Sequence, residues 1–208
     1  MKLLSVNVGQ REMMLIGGDM VPTGIGKRPW KAPLTVGEMG LVGDVVADGE
    51  HHGGVDQAVY VYSREDYAWW EERLGRTLEA GMFGENLMID TFGEDVLRVG
   101  DRFVIGETVL ELTSPRIPCS KLATKMGDNG FVKQFVAAER PGAYARVIKT
   151  GTIQMGDRVE RQVAGEQNVL LLDMFRLWYM KEKDMDVVRQ ALASPIAIRA
   201  RRWLEQLV

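Results

Sequence analysis

Gly100-Asp101-Arg102-Phe103-Val104-Ile105-Gly106-Glu107-Thr108-Val109-Leu110-Glu111-Leu112-Thr113 sets the pattern of the chain. Its opening Gly-Asp pair is turn chemistry: glycine supplies the backbone freedom, aspartate accepts backbone hydrogen bonds, and an apolar run follows at once. Residues 102–105 and 108–113 then alternate apolar and polar side chains, the period of a strand. Moving outward, the same alternation recurs at residues 3–8, 59–62 and 86–89, and Gly43-Asp44 and Gly156-Asp157 stand before further apolar runs. Many short strands cut by glycine predict a mainly β, barrel-like or sandwiched unit over residues 1–162. One clear helix interrupts it. Ser63 with Asp66 reads as a capping box, and Tyr67, Trp70 and Leu74 follow at helical spacing. A second short helix is expected over residues 130–139.

The composition changes after Gly165, beyond which no glycine occurs. Three amphipathic stretches, at residues 169–180, 184–192 and 194–207, have Asp or Ser at plausible caps, and Pro195 takes the first position of the last. A second unit of three helices is therefore expected over residues 163–208. From residue 161 onward 8 Lys and Arg face 6 Asp and Glu, so the excess acidity lies on the β unit. Such a helical unit suits docking or oligomerisation better than catalysis, and it leaves a homodimer open.

With 46% hydrophobic and 26% charged residues over 208 positions, the chain is neither disordered nor collagen-like. No run approaches the roughly 20 apolar residues a membrane helix needs, and the first residues do not read as a signal peptide, so no membrane association and a cytoplasmic location are expected. The net charge of −3 argues against a nucleic-acid partner. One cysteine cannot form an internal disulfide or a four-thiolate centre. Cys119 is either a small buried hydrophobe or the chemistry.

Four segments carry candidate chemistry. In Thr113-Ser114-Pro115-Arg116-Ile117-Pro118-Cys119-Ser120-Lys121-Leu122, the prolines suppress a regular ladder and set Cys119 on a shaped loop at a strand end. Arg116 and Lys121 there favour a thiolate, the form that attacks, carries sulfur or ligates a soft metal. His51-His52-Gly53-Gly54-Val55-Asp56 offers two glycines for close backbone approach and an anion-binding nest, His52 as a switchable donor, and Asp56 to orient a neighbouring donor or shuttle a proton. A zinc site from His51, His52 and Cys119 is weak, because adjacent side chains on an extended backbone diverge. Phe83-Gly84-Glu85-Asn86-Leu87 would set Glu85 and Asn86 at a pocket rim. Thr23-Gly24-Ile25-Gly26-Lys27-Arg28-Pro29 offers Lys27 and Arg28 as a phosphate clamp, without the spacing of a Walker loop.

Taken in order with Gly40-Leu41-Val42-Gly43-Asp44 and Gly142-Ala143-Tyr144-Ala145-Arg146-Val147, these motifs resemble the MOSC domain family, the domain found at the C-terminus of molybdenum cofactor sulfurases. The likeness spans nearly all of residues 1–162, and the helical tail matches the stand-alone bacterial YiiM-type subgroup. The resemblance implies a closed β-barrel with peripheral helices and a molybdenum cofactor (molybdopterin) at one mouth. Cys119 then stands at the family's cysteine, a ligand of molybdenum in its reductase members. Lys27, Arg28, Arg116 and Lys121 become candidates for the pterin and its phosphate, with His52, Gly53, Gly54, Asp56 and Asn86 lining the same mouth. Trp30 departs from the aliphatic residue expected after Arg28-Pro29. The activity implied is reduction of N-hydroxylated compounds, such as N-hydroxylaminopurines and amidoximes, with His52 or Asp56 supplying a proton. No flavin or nicotinamide fingerprint is present, so a separate flavoprotein or small redox protein must bring the electrons. A Cys119 persulfide carrier and a non-catalytic cofactor carrier are the alternatives.

Overall fold

The computed structural model describes residues 1–47 and 53–208; His51 and His52 fall outside the described residues. The strands in chain order are β1 (Leu3–Val8), β2 (Glu12–Ile16), β3 (Asp19–Thr23), β4 (Arg28–Pro29), β5 (Leu34–Gly37), β6 (Gly40–Leu41), β7 (Val59–Ser63), β8 (Leu87–Ile89), β9 (Arg102–Ile105), β10 (Thr108–Pro115), β11 (Ala143–Lys149), β12 (Gly151–Ile153) and β13 (Val159–Gln162). The helices are α1 (Arg64–Leu74), α2 (Ser120–Met126), α3 (Phe131–Ala138), α4 (Leu171–Tyr179), α5 (Met185–Ala193) and α6 (Ile198–Leu204), with a 3₁₀ turn at Val55–Gln57.

Eight strands form one mixed sheet in the order β13-β9-β10-β11-β7-β8-β1-β4, while β12-β5-β6 and β2-β3 form small sheets. Every adjacent pair in the large sheet is antiparallel except β7 and β8, which α1 joins as a crossover. The expected closed barrel is not formed: no sheet among the described residues closes on itself. The two ends of the large sheet do approach each other, through an isolated Lys2–Arg158 bridge and a 2.9 Å bond from the Leu3 N–H to the Asp157 carbonyl. Two more backbone bonds, from the Val159 N–H to the Met1 carbonyl at 2.9 Å and from the Gly156 N–H to the Leu3 carbonyl at 2.8 Å, complete this contact, which does not extend into a paired strand ladder.

The local signals read from sequence explain the elements that position the site. Ser63 caps α1, its Oγ accepting from the Asp66 N–H at 3.0 Å. Trp70, Tyr67 and Asp66 face inward from that helix. Asp184 caps α5 as expected. Ser194 and Pro195, by contrast, do not begin α6: Ser194 closes α5, its hydroxyl accepts from the Val169 N–H, and α6 starts at Ile198.

Two apolar clusters occupy the interior. One fills the inside of the large sheet with Val59, Val61, Leu110, Leu112, Ala143 and Ala145, and it runs on without a break into Met174, Leu177, Val188 and Leu204 of the C-terminal helices. The other lies on the opposite face, where Tyr60, Tyr62, Tyr67, Trp70, Phe83, Phe131 and Phe135 meet under α1, α2 and α3. Period-two alternation along β7 and β11 sends neighbouring side chains to different clusters, which is why Tyr60 and Tyr144 point away from Val59 and Ala145.

Candidate functional site

A pocket with about 80 Å³ of interior space, opening to about 590 Å³ when the solvent-filled mouth is counted, lies where the β3–β4 loop, the start of β7, the end of β10 and β11 converge. Of the residues singled out in the sequence, Lys27, Gly53, Asn86, Arg116, Cys119 and Lys121 line it. Segments separated by up to about ninety residues thus deliver their chemistry to one place.

Pro115 ends β10, and Cys119 follows after Ile117 and Pro118 as the N-cap of α2, half-buried at the cavity wall. Its carbonyl accepts from the Leu122 and Ala123 N–H groups, so the residue is fixed by the first turn of the helix. Arg116 is 4% exposed. Its Nη1 donates to the Phe83 carbonyl at 2.6 Å, its guanidinium stands 5.0 Å from the Tyr60 ring centroid, and its Nε is buried without a hydrogen-bond partner. A permanently charged guanidinium on the wall of a pocket favours an anionic group of a ligand there.

Lys27 is not the open clamp its sequence suggested. Its amine is held by both oxygens of Asp44, and both side chains are nearly closed to solvent, at 7% and 6% exposure. Asp44 also accepts from the Gly9 N–H at 2.7 Å and the Asn86 amide at 2.8 Å. Burial pulls the Lys27 amine below the usual lysine range, and Asp44 opposes that shift. Asn86 uses its other end to accept from the Tyr60 N–H at 3.1 Å, so the wall between β7 and β8 is tied to this ion pair.

Glu85 does not stand at the rim. It is fully buried behind the wall, its Oε1 accepting from the Tyr67 hydroxyl at 2.6 Å and from the Gly81 N–H, and burial raises its carboxyl above the usual range. Lys125 comes from α2 and bridges the carbonyls of Ile25 and Gly81, fastening the β3–β4 loop to the body. Burial lowers its amine to about 8. Asp44, Lys125, Tyr60 and Tyr144 are the contributors that motif reading assigned no role.

Two glycines earn their place by close approach. A side chain at Gly84, at φ +77°, would meet Ile25 Cγ1 at 2.8 Å, and one at Gly53, at φ +74°, would meet Val46 at 2.7 Å. Gly54 is exposed and begins the 3₁₀ turn outside the cavity lining. Arg28 is also exposed, on β4, and does not line the cavity. Asp56 does not line it either. Its carboxylate is spent on Arg146, at 3.1 Å, and on the Ile198 N–H at the start of α6, at 2.8 Å. Among the described residues no cluster of three or more His, Cys, Asp or Glu side chains could hold a metal, so the weak zinc set gains no support there.

The model of the MOSC domain matches residues 48–160, more than half of the chain, and the chain belongs to this family, which is associated with the molybdenum cofactor. Among its relatives is the uncharacterized protein YflK of Bacillus subtilis, 35% identical over 92% of this chain and 87% of that protein. A protein of Gibberella moniliformis named Reductase is 30% identical over 76% of this chain, a match that spans 28% of that longer protein. The crystal structure of YiiM from Geobacillus stearothermophilus superimposes with a TM-score of 0.81 at 28% identity, covering 99% of this chain and 97% of that one. The chain is YiiM-like in sequence and structure. No helix among the described residues is long and apolar enough to cross a membrane.

Proposed function

We propose that the protein is a molybdenum-cofactor-dependent reductase of N-hydroxylated compounds, returning N-hydroxylaminopurines and amidoximes to the amine or amidine. The observation that carries the reading is the meeting of the sole thiol with the Arg116 guanidinium and Lys121 on the wall of one pocket. The donor set fits a dithiolene pterin. A thiolate at Cys119 suits a soft metal, and Arg116 and Lys121 suit a phosphate, while Gly53 and Gly84 let Val46 and Ile25 pack close against the backbone of the wall. When bound, the cofactor supplies the two-electron chemistry that cleaves an N–O bond.

The chain's own residues hold and shape the site. Cys119 is fixed at the head of α2, Arg116 is braced by the Phe83 carbonyl and the Tyr60 ring, and Asp44 positions Lys27 and Asn86 together. His52 remains the proposed proton donor. Asp56 is withdrawn from that role because both its oxygens are engaged elsewhere. The relative named Reductase supports a redox reading. With one cysteine and no metal-ligating cluster among the described residues, the electrons come from a separate flavoprotein or small redox protein.

The test is protein produced in a host that synthesises molybdopterin, assayed for molybdenum, pterin and sulfane sulfur, then for reduction of 6-N-hydroxylaminopurine with a reduced viologen dye as donor. The expected result is molybdenum and pterin near one per chain with adenine as product. Cyanide-labile sulfur without molybdenum would instead make Cys119 a persulfide carrier. Bound cofactor without turnover would make the protein a cofactor carrier.

A further inference from the structure

Four tyrosines stand close together beside the cavity, and three of them have their hydroxyls committed. Tyr60 donates to the Pro141 carbonyl at 2.8 Å and Tyr62 to the Arg140 carbonyl at 2.8 Å, while Tyr67 bonds Glu85 at 2.6 Å. The fourth, Tyr144, lines the cavity, and its hydroxyl is bonded to no described residue.

Its placement is built into the sheet. Between β10 and β11, Leu112 pairs with Ala145 and Ser114 with Tyr144, so two residues of β10 span one of β11 and Thr113 is the extra residue of a bulge. The Thr113 hydroxyl closes the bulge against the carbonyls of Asp56 and Tyr144. On the other side Tyr144 sits directly opposite Tyr60, with ring centroids 5.0 Å apart. The ring is therefore held between a pinned strand and a pinned neighbour, near Cys119 and Arg116. Burial raises the Tyr144 phenol above the usual tyrosine range, with Arg116 opposing the shift, so at neutral pH it is a donor.

On the reading of the site as an N-hydroxyl reductase, we infer that the Tyr144 hydroxyl donates a hydrogen bond to the N-bound oxygen of the substrate and so separates N-hydroxylated compounds from the corresponding amines. A site that commits a fixed donor to a substrate oxygen binds the compound lacking that oxygen less well, because the donor is then left unpaired. The amine product lacks the oxygen and leaves.

The experiment is calorimetric binding of 6-N-hydroxylaminopurine and of adenine to cofactor-loaded protein with no electron donor present, so that no turnover occurs. Wild type, Tyr144→Phe and Tyr62→Phe are compared. Wild type is expected to prefer the hydroxylated base by about tenfold. Tyr144→Phe loses that preference with adenine affinity unchanged, and Tyr62→Phe keeps it. If wild type discriminates and Tyr144→Phe discriminates equally, or if both ligands weaken together in Tyr144→Phe, the assignment to Tyr144 is overturned and the reductase reading stands. If wild type itself shows no preference, the substrate class falls and the role of Tyr144 with it.

Discussion

Asp56 accepts the Ile198 N–H at 2.8 Å across 142 positions of sequence, and with its second oxygen it holds Arg146 at 3.1 Å. Arg146 in turn donates to the carbonyls of Pro195 and Ile196. The turn that carries Gly53 and Gln57 to the cavity is thereby clamped to the entrance of α6, and Arg199 adds a bond to the Gln57 amide at 3.2 Å. The C-terminal helices are thus structurally coupled to the wall of the site.

Asp56→Asn keeps the size of the side chain but loses the ion pair with Arg146. The expected cost is about 1–3 kcal/mol, the range for a half-buried charge-assisted pair with one partner removed. Urea unfolding measures it. If Asp56 served only as an exposed turn residue, the midpoint would not move.

Lys27 and Asp44 form a pair that is costly to break from one side. Asp44→Leu leaves the Lys27 ammonium buried without its partner, at an expected loss of about 3–5 kcal/mol, whereas Lys27→Met with Asp44→Leu recovers much of it. A double-mutant cycle by denaturant titration reads the coupling. Additive losses would mean that the two side chains do not depend on each other.

Cys119→Ala is expected to abolish molybdenum retention and turnover while shifting stability by less than about 1 kcal/mol, since the thiol is half-buried and lies at a helix cap. Metal analysis beside a thermal melt separates the two effects. Full turnover in this variant would remove Cys119 from the site.

Lys125 gives the site loop a pH dependence whose sign is fixed. Its amine is lowered to about 8 in the folded chain against an ordinary 10.5. Between those values the unfolded chain binds the extra proton, so the contribution of Lys125 makes stability rise with pH from about 8 to 10.5. Subtracting the stability curve of Lys125→Met from that of wild type isolates this rise. A flat difference over the window would show that the amine titrates normally.

The parts of the site legible in the sequence were those carried by unusual local chemistry. Two prolines, a cysteine and two cations within seven residues marked Arg116, Cys119 and Lys121, and all three line the cavity. Asp44 was hidden because its Gly-Asp setting matches two other turns, while its significance lies in Lys27, 17 positions away. Asp56 read equally as an orienting carboxylate or a proton shuttle, because the donors it holds stand on β11 and α6, beyond any local pattern. In the fold, periodicity found β1, β7, β9 and α1 but gave no sign of α2, seven residues long with no side-chain cap and no acidic first turn. Closure of the sheet is likewise a matter of how far two distant strands run together, and here they meet only through the bonds of residues 1–3 with residues 156–159.

The position of Cys119 also turns the protein into its own reporter. With one thiol in 208 residues, every alkylation event counted by mass or absorbance takes place at the cavity wall. The rate at which iodoacetamide consumes that thiol is therefore a footprint of the cavity alone, and a compound that occupies the mouth declares itself by slowing it.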